Sequence, residues 1–139
     1  MTVRRATVAD IQDVVRIGRT FLEAGVYRHV PLDEEAFAAF VRQLIEGPGA
    51  IFLTGDGFCG GLLSPAYFNP AHVIAAELFW WAPTEGRALQ AAFESWAVAA
   101  GAAAITFTGM HDDNIKAVTR LYRMTGYRPV EIAFMKELS

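Results

Sequence analysis

The chain has 139 residues, of which 53% are hydrophobic and 19% are charged, a composition typical of one compact folded domain and not of a disordered chain. Its formal net charge of −3 argues against a general nucleic-acid binder, because such proteins carry a basic surface. The single cysteine, Cys59, allows no disulfide within the chain and is typical of a reducing compartment, and we expect it to be a small buried residue.

The sequence predicts neither a targeting segment nor a metal site. The basic residues near the start, Arg4 and Arg5, are not followed by the apolar run of a secretory signal. The stretch over residues 97–105 is too short and too rich in Ala and Gly to span a bilayer. His29 and His72 lack the spacing of metal ligands. We therefore expect a cytoplasmic protein that binds neither a membrane nor a metal ion.

Capping and turn signals divide the chain into strands and helices. Thr7, with Asp10 three residues later, predicts the capping box of a first helix. Gly55-Asp56-Gly57 predicts a hairpin turn, and Asn69-Pro70 predicts a second turn. In chain order, the predicted elements are a strand over residues 3–5, the helix opened at Thr7, a helix over 33–46, strands over 50–54, 58–64 and 72–81, a helix over 87–100, a strand over 103–108, a helix from Asp112 or Asp113 to Gly126, and a strand over 130–135. Antiparallel strands followed by a parallel, right-handed β-α-β crossover indicate an α/β fold with a mixed sheet.

The most informative segment joins an apolar strand to a helix, in ELFWWAPTEGRALQAAFESW over residues 77–96. Gly86 lets an anionic ligand approach the backbone closely, and Arg87 adds a positive charge beside it. The first N–H groups of the helix that follows point outwards, at the positive end of the helix dipole. The turn is therefore typical of a phosphate-bearing cofactor site, and it is also consistent with nothing more than a tight strand-to-helix connection.

The element order, this turn and the ending LYRMTGYRPVEIAFMKEL resemble the GNAT (N-acetyltransferase) superfamily, and most of all its short bacterial and phage-type members, over nearly the whole chain. The family's acyl-CoA signature is Q/R-x-x-G-x-G/A. Gly86 and Ala88 match its small positions, and Pro83 stands where the family has Gln or Arg. The family's second element is N-x-x-A, then L-Y, then G-F/Y. It is matched, with one extra residue before Leu121, by Asn114, Ala117, Leu121-Tyr122 and Gly126-Tyr127.

The resemblance implies a GNAT-like acyl-CoA N-acyltransferase fold, in which the fourth and fifth strands of a mixed sheet splay apart between flanking helices. It implies a single domain over residues 1–139 that uses acetyl-CoA as co-substrate and acetylates a primary amine of a small molecule or peptide directly, without an acyl-enzyme. Backbone N–H groups freed by the splay would hold the pantetheine arm and polarise the thioester. The cofactor-binding residues are then expected to be Phe79, Trp80, Trp81, Glu85, Gly86, Arg87, Ala88 and Asn114.

Tyr122 is the candidate general acid. A phenol and a thiol have comparable proton affinities, so a nearby tyrosine can protonate the departing thiolate. Tyr122 is also compatible with a purely structural place on its helix, on the same face as Val118.

Glu77 is the candidate general base. It lies in an apolar strand, where an unpaired carboxylate is costly, so it is expected to have an ion-pair partner, a raised pKa or a substrate amine beside it. Simple alternation places Glu77, Phe79 and Trp81 on one face of the strand, with Leu78 and Trp80 on the other. An ion pair between Glu77 and an arginine at the strand edge is the alternative.

The resemblance places the acceptor pocket near Tyr27, His29 and Tyr67, and it allows a homodimer. A second interpretation is a catalytically silent GNAT-fold binding or assembly module. It is motivated by Pro83 and by the altered spacing after Asn114. Surface aromatic residues, with Phe58, Tyr67 and Phe68 as candidates, would then mark a partner interface.

Overall fold

A computed structural model describes residues 2–138, and the chain divides into two compact units, Met1–Thr108 and Gly109–Ser139. The prediction of a single domain stays a prediction. The elements of the first unit are β1 (Arg4–Arg5), a 3₁₀ turn (Val8–Asp10), α1 (Ile11–Ala24), α2 (Glu34–Glu46), β2 (Gly49–Leu53), β3 (Phe58–Ala66), β4 (Asn69–Trp81), α3 (Gly86–Ala99) and β5 (Ala104–Thr106). The second unit contains α4 (Ile115–Met124).

The first unit is built on a five-stranded sheet in the order β1-β2-β3-β4-β5. The pairs β1–β2, β2–β3 and β3–β4 are antiparallel, and β5 is parallel to β4. The α3 crossover between β4 and β5 makes this parallel pair possible, because parallel strands need a long connection. The mixed sheet predicted from the sequence is therefore confirmed.

Strand alternation divides the core into two clusters, one on each face of the sheet. The cluster under α1 and α2 contains Ile11, Val14, Val15, Ile17, Val41, Leu44, Ile51, Leu53, Phe58 and Phe79. The cluster under α3 contains Ala50, Phe52, Cys59, Ala75, Leu89, Phe93 and Ala97. Each large apolar side chain buried in this way contributes roughly 1.5–3 kcal/mol to folding. Phe58 is only 1% exposed, so it does not mark an interface.

The predicted capping box at the start of α1 is confirmed. The Asp10 carboxylate accepts the Thr7 backbone N–H at 2.8 Å and two N–H groups of the Arg4 guanidinium at 2.8 and 2.7 Å. The Arg4 bonds, and then the Thr7 bond, hold the pKa of Asp10 well below its usual range. This carboxylate therefore ties β1 to the beginning of α1.

The turn between β3 and β4 lies two residues earlier than the sequence predicted. Tyr67 and Phe68 form the turn, and Asn69 already pairs with Ala66 as the first residue of β4. Pro70 is accommodated because it lies in an irregular part of the β3–β4 register, between the Asn69–Ala66 and Val73–Pro65 pairs, where a missing N–H costs little. The hairpin at Gly55-Asp56-Gly57, in contrast, is formed as predicted between β2 and β3.

The predicted last strand, Val130–Met135, is wrong. The described residues 127–138 have no regular secondary structure, although their pattern alternates between apolar and polar side chains. Val130, Ile132 and Phe134 are 66%, 78% and 92% exposed. Alternation predicts which side chains share a face, but a strand also needs a neighbouring strand for its backbone hydrogen bonds. The described residues of the second unit contain none.

Candidate active site

A β-bulge at Leu78 reverses the alternation of β4 in the middle of the strand. Gly60 pairs with Phe79 and Gly61 pairs with Glu77, so Leu78 is an extra residue on β4. Beyond the bulge, Phe79 and Trp81 pack on the side of α1 and α2, and Trp80 packs on the side of α3. Before it, Ala75 is on the α3 side. By alternation from Ala75, Glu77 also faces α3, so the prediction that it shares a face with Phe79 and Trp81 is wrong.

Two glycines on β3 make room for the bulge. A Cβ atom on Gly60 would lie 2.5 Å from the Phe79 ring, and one on Gly61 would run into the backbone carbonyl of Ala76. Both contacts are closer than real Cβ atoms tolerate. The pair Gly60-Gly61 is therefore required by the close approach of β4 and not by an unusual backbone conformation.

The parallel pairing of β4 with β5 is short. It covers Ile74 to Ala76 on β4 and Ala104 to Thr106 on β5, whereas β4 continues to Trp81 beside β3. Glu77 is thus the first β4 residue beyond the last β4–β5 pair. The splay of the fourth and fifth strands predicted with the fold is confirmed, and it begins at Glu77.

The Glu77 carboxylate is 6% exposed and is held by Thr108, two residues after β5 ends. Its Oε1 accepts the Thr108 backbone N–H at 2.8 Å and the Thr108 hydroxyl at 2.9 Å. Burial raises the pKa of Glu77 to about 7, although both Thr108 bonds oppose that shift. Glu77 therefore exchanges its proton near neutral pH, which is the pKa range that suits general acid–base chemistry best.

Sequence reasoning missed Thr108. It was the last residue of a predicted strand, and no motif distinguishes it from the other threonines of the chain. Its role depends on where β5 stops pairing with β4, which only the structure shows.

Cys59 is buried on β3, as the sequence predicted. Burial, and then the charges of Glu77 and Glu94, raise the pKa of its thiol far above its usual value. The thiol therefore stays protonated, which makes it a poor nucleophile.

The sequence places its candidate anion site at the beginning of α3. Glu85 adopts a left-handed conformation with φ of 62° and gives the helix no side-chain cap. The first intrahelical bond runs from the Leu89 N–H to the Glu85 carbonyl, which leaves the N–H groups of Gly86, Arg87 and Ala88 outside the helical ladder. A Cβ on Gly86 would meet nothing closer than 3.7 Å.

Two side chains at this helix end have defined partners. The Trp80 indole N–H donates to the Gly86 carbonyl at 3.1 Å, which ties the end of β4 to the first turn of α3. The half-exposed Arg87 guanidinium donates to Glu94 at 2.9 Å, two turns along the same helix. Arg87 is therefore close to the open helix end, with one of its N–H groups engaged.

The second unit contains Asn114 and Tyr122. Asn114 is exposed at the start of α4, and its N–H donates to the Asp112 carboxylate at 2.9 Å. Tyr122 is half-buried, and its ring centroid lies 5.6 Å from that of Tyr127. Gly126, with φ of 95°, allows the turn that lets the Tyr127 N–H donate to the Tyr122 carbonyl at 2.9 Å. The predicted helix end at Gly126 is confirmed.

The residues predicted for the acceptor pocket lie on two separate elements. Tyr27 and His29 are exposed in the turn between α1 and α2. Tyr67 lies at the tip of the β3–β4 hairpin, 95% exposed, with its ring 5.2 Å from that of Phe68. Their role as an acceptor pocket stays a prediction.

Among residues 2–138, no group of three or more metal-ligating side chains is close enough to hold a metal ion. In the same part of the chain, no helix has the length and apolarity needed to cross a membrane.

Comparison with known proteins identifies the fold. No protein-family model matches the sequence, and no curated protein is significantly similar to it. Solved structures do match. The protein AAC(6')-Iy, in complex with the bisubstrate analog CoA-S-monomethyl-acetylneamine, is 13% identical in sequence, with a TM-score of 0.73 over 99% of this chain and 97% of that one.

Two further structures agree with this match. An aminoglycoside acetyltransferase from an uncultured soil metagenomic sample is 16% identical, with a TM-score of 0.70 over 99% of this chain and 98% of the other. A Trypanosoma brucei acetyltransferase is 14% identical, with a TM-score of 0.70 over 99% of each chain. Identities this low show the fold alone. The chain has the fold of the acetyltransferases, which confirms the GNAT-like fold predicted from the sequence.

The raised pKa of Glu77 predicts a pH-dependent loss of stability. Because the folded protein holds this proton more tightly than the unfolded chain, the free energy of unfolding should fall as the pH rises from about 4.5 to about 7. Glu77 should account for roughly 3 kcal/mol of that fall, since each pKa unit corresponds to about 1.4 kcal/mol. Urea denaturation of the wild type and of Glu77→Gln, at a pH below 4.5 and at one above 7, measures it.

The Glu77→Gln variant has no carboxyl group to ionise at this position, so it should not show this part of the fall in the free energy of unfolding. Its stability relative to the wild type should therefore increase with pH. The exposed Glu35→Gln is the matched control and should follow the wild type. Parallel pH profiles for the wild type and Glu77→Gln would show that Glu77 is already ionised in the acidic range.

Proposed function

We propose that this chain is an acetyl-CoA-dependent N-acetyltransferase that transfers an acetyl group directly to a primary amine, without an acyl-enzyme. The observation that carries the proposal is the Glu77 carboxylate, buried where β4 and β5 separate and with a pKa of about 7, on an acetyltransferase fold. Cytoplasmic location is part of the proposal and is supported by the single, buried cysteine.

The residues at the beginning of α3 suit a phosphate-bearing co-substrate. The N–H groups of Gly86, Arg87 and Ala88 bind the pyrophosphate, because they lie outside the helical ladder at the positive end of the helix dipole. Gly86 leaves the backbone open to close approach, and Arg87 adds charge. Acetyl-CoA supplies an activated thioester when bound. Asn114 and the backbone of Phe79 to Trp81, beyond the β4–β5 pairing, complete the proposed cofactor-binding set.

Glu77 accepts a proton from the acceptor amine, directly or through a water molecule. Its raised pKa keeps it partly ionised and still basic near pH 7. The two Thr108 bonds go to Oε1. We therefore assign proton acceptance to Oε2, which takes neither of these bonds.

Tyr122 donates the proton that the departing thiolate needs. Tyr27, His29 and Tyr67 contact the acceptor, whose aromatic surroundings suit a small and partly apolar amine. Two structures of similar fold are aminoglycoside acetyltransferases, which supports a small-molecule amine, although a peptide amine uses the same chemistry.

A catalytically silent binding module is the second candidate. It is favoured by Pro83, which replaces the leading Gln or Arg of the family's acyl-CoA signature, and by the engagement of Arg87 with Glu94. The module predicts no affinity for acyl-CoA, so binding measurements separate the two candidates.

Arg87→Glu should weaken acetyl-CoA binding by about tenfold or more, because it places a negative charge beside the proposed pyrophosphate site. Isothermal titration with acetyl-CoA and with CoA measures the change. The matched control is Arg42→Glu, since Arg42 is also half-exposed and ion-paired along its own helix, with Glu46 at 3.7 Å. Equal losses in both variants would contradict the site. A folded wild type that binds neither ligand would favour the silent module.

Tyr122→Phe should lower kcat by about a hundredfold and leave the affinity for CoA nearly unchanged, because only the proton donor is removed. Steady-state kinetics with an amine panel and CoA titration measure the two quantities. Tyr127→Phe is the control, because the two rings are neighbours and only Tyr122 is proposed to donate a proton to the thiolate. A kcat equal to that of the wild type would remove Tyr122 from the mechanism.

We also propose that two copies pair through residues 130–138. In an antiparallel pair centred on Ala133, Ile132 lies opposite the partner's Phe134, an aliphatic–aromatic pair that occurs twice by symmetry. Such pairing covers apolar side chains that are otherwise exposed to water. Sedimentation should give a dimer for the wild type and a monomer for Ile132→Lys combined with Phe134→Lys.

Met124→Lys changes an apolar residue that is 76% exposed but lies outside this segment, so it should remain dimeric. A monomeric wild type, or a double variant that remains dimeric, would contradict pairing through residues 130–138.

A further inference from the structure

We infer that Thr108 is a positioning residue: its backbone N–H and hydroxyl together fix Oε1 of Glu77, so that the other carboxylate oxygen is presented to the acceptor amine. The inference rests on the proposed function for the role of Glu77, but the contact itself is a property of this structure. Both bonds are short, at 2.8 and 2.9 Å, and both end on the same oxygen.

Two donors on one oxygen restrict the carboxylate more than one donor would. The N–H is held by the backbone that leaves β5, and the hydroxyl is carried on a β-branched side chain with few rotamers. Rotation of the Glu77 carboxylate would break both bonds at once. Thr108 therefore fixes the orientation of the Glu77 carboxylate, which burial alone does not determine.

The contact between Thr108 and Glu77 lies just beyond the end of the β4–β5 pairing. Pairing between β4 and β5 ends at Ala76 and Thr106, and Glu77 is the next residue on β4. The Glu77–Thr108 contact is thus formed where the two strands have begun to separate. Thr108 is also the last residue of the first unit, so the contact fixes the end of that unit.

The same bonds oppose the effect of burial on the carboxylate. Hydrogen bonds to the ionised form lower the pKa of Glu77, whereas desolvation raises it to about 7. The other titratable groups on neighbouring elements are Cys59 on β3 and Glu94 on α3, and Glu94 is paired with Arg87. Substitutions at Thr108 leave Cys59, Glu94 and Arg87 unchanged. A change in the pKa of Glu77 in such a variant therefore measures the effect of the Thr108 bonds.

The test compares Thr108→Val with Thr108→Ser. Valine keeps the shape and the backbone N–H but removes the hydroxyl, and serine restores the hydroxyl. Carboxyl ¹³C NMR of the purified protein, with Glu77→Gln used to assign the signal, measures the pKa of Glu77 in each. We expect an increase of about one unit in Thr108→Val and a value close to the wild type in Thr108→Ser.

Enzyme kinetics give a second readout. The acidic limb of the pH profile of kcat should move to higher pH in Thr108→Val by the same amount, with KM for acetyl-CoA unchanged, and Thr108→Ser should restore the wild-type profile. Thr108 is exposed, so these variants should fold, and Thr108→Ala provides a second hydroxyl-free variant.

The outcomes separate this inference from the proposed function. An unchanged Glu77 pKa in both hydroxyl-free variants would overturn the role of Thr108, whatever the activity. A shifted pKa in a protein without acetyltransferase activity would support the hold of Thr108 on the carboxylate and overturn the proposed function alone. A shifted pKa without a shifted kcat profile would overturn the role of this contact in positioning a base.

Discussion

The rest of the first unit depends on one extra residue, Leu78, in the middle of β4. Before this bulge, Ala75 packs on the α3 side of the sheet, and after it Phe79 packs on the α1 and α2 side. A regular strand would place both on one face. Each helical layer therefore receives its β4 side chains only because the bulge is present, and the bulge fits only because β3 has glycine at positions 60 and 61.

The pKa of the buried Glu77 carboxylate, which lies beside the bulge, is set by two opposing effects. Desolvation disfavours the charge of Glu77, and the two Thr108 bonds favour it. A pKa of about 7 shows that desolvation dominates, by roughly 3 kcal/mol relative to a water-exposed glutamate. The result is a carboxyl group that changes its protonation state near neutral pH. A pKa near the working pH is the value that suits a proposed general base best.

Local signals in the sequence were sufficient for most elements of the first unit, and they were insufficient for the last segment and for the contacts of the site. The capping box at Thr7 and the Asp-Gly turn each act within a few residues, so their physics is contained in the sequence around them. No local pattern marks Leu78 as a bulge, because a bulge is defined by how the residues of one strand pair with those of its neighbour. The contact of Thr108 with Glu77 depends on where β5 stops pairing with β4, which no local pattern shows. The segment over residues 130–135 has the alternation of a strand, but alternation does not supply a partner for its backbone.

The bulge also links the proposed base to the proposed cofactor site. Because the alternation is reversed after Leu78, Trp80 lies on the α3 side, where its indole N–H donates to the Gly86 carbonyl and its ring packs against Phe107 at 5.5 Å. If Leu78 were part of a regular strand instead of a bulge, Trp80 would face α1 and α2, and the first turn of α3 would lose this bond to β4. The bulge thus places Trp80 on the α3 side of the sheet, which Glu77 also faces, and Trp80 there holds the first turn of α3. The proposed base and the proposed anion site are consequently parts of one local arrangement, although six residues lie between Leu78 and Glu85 along the chain.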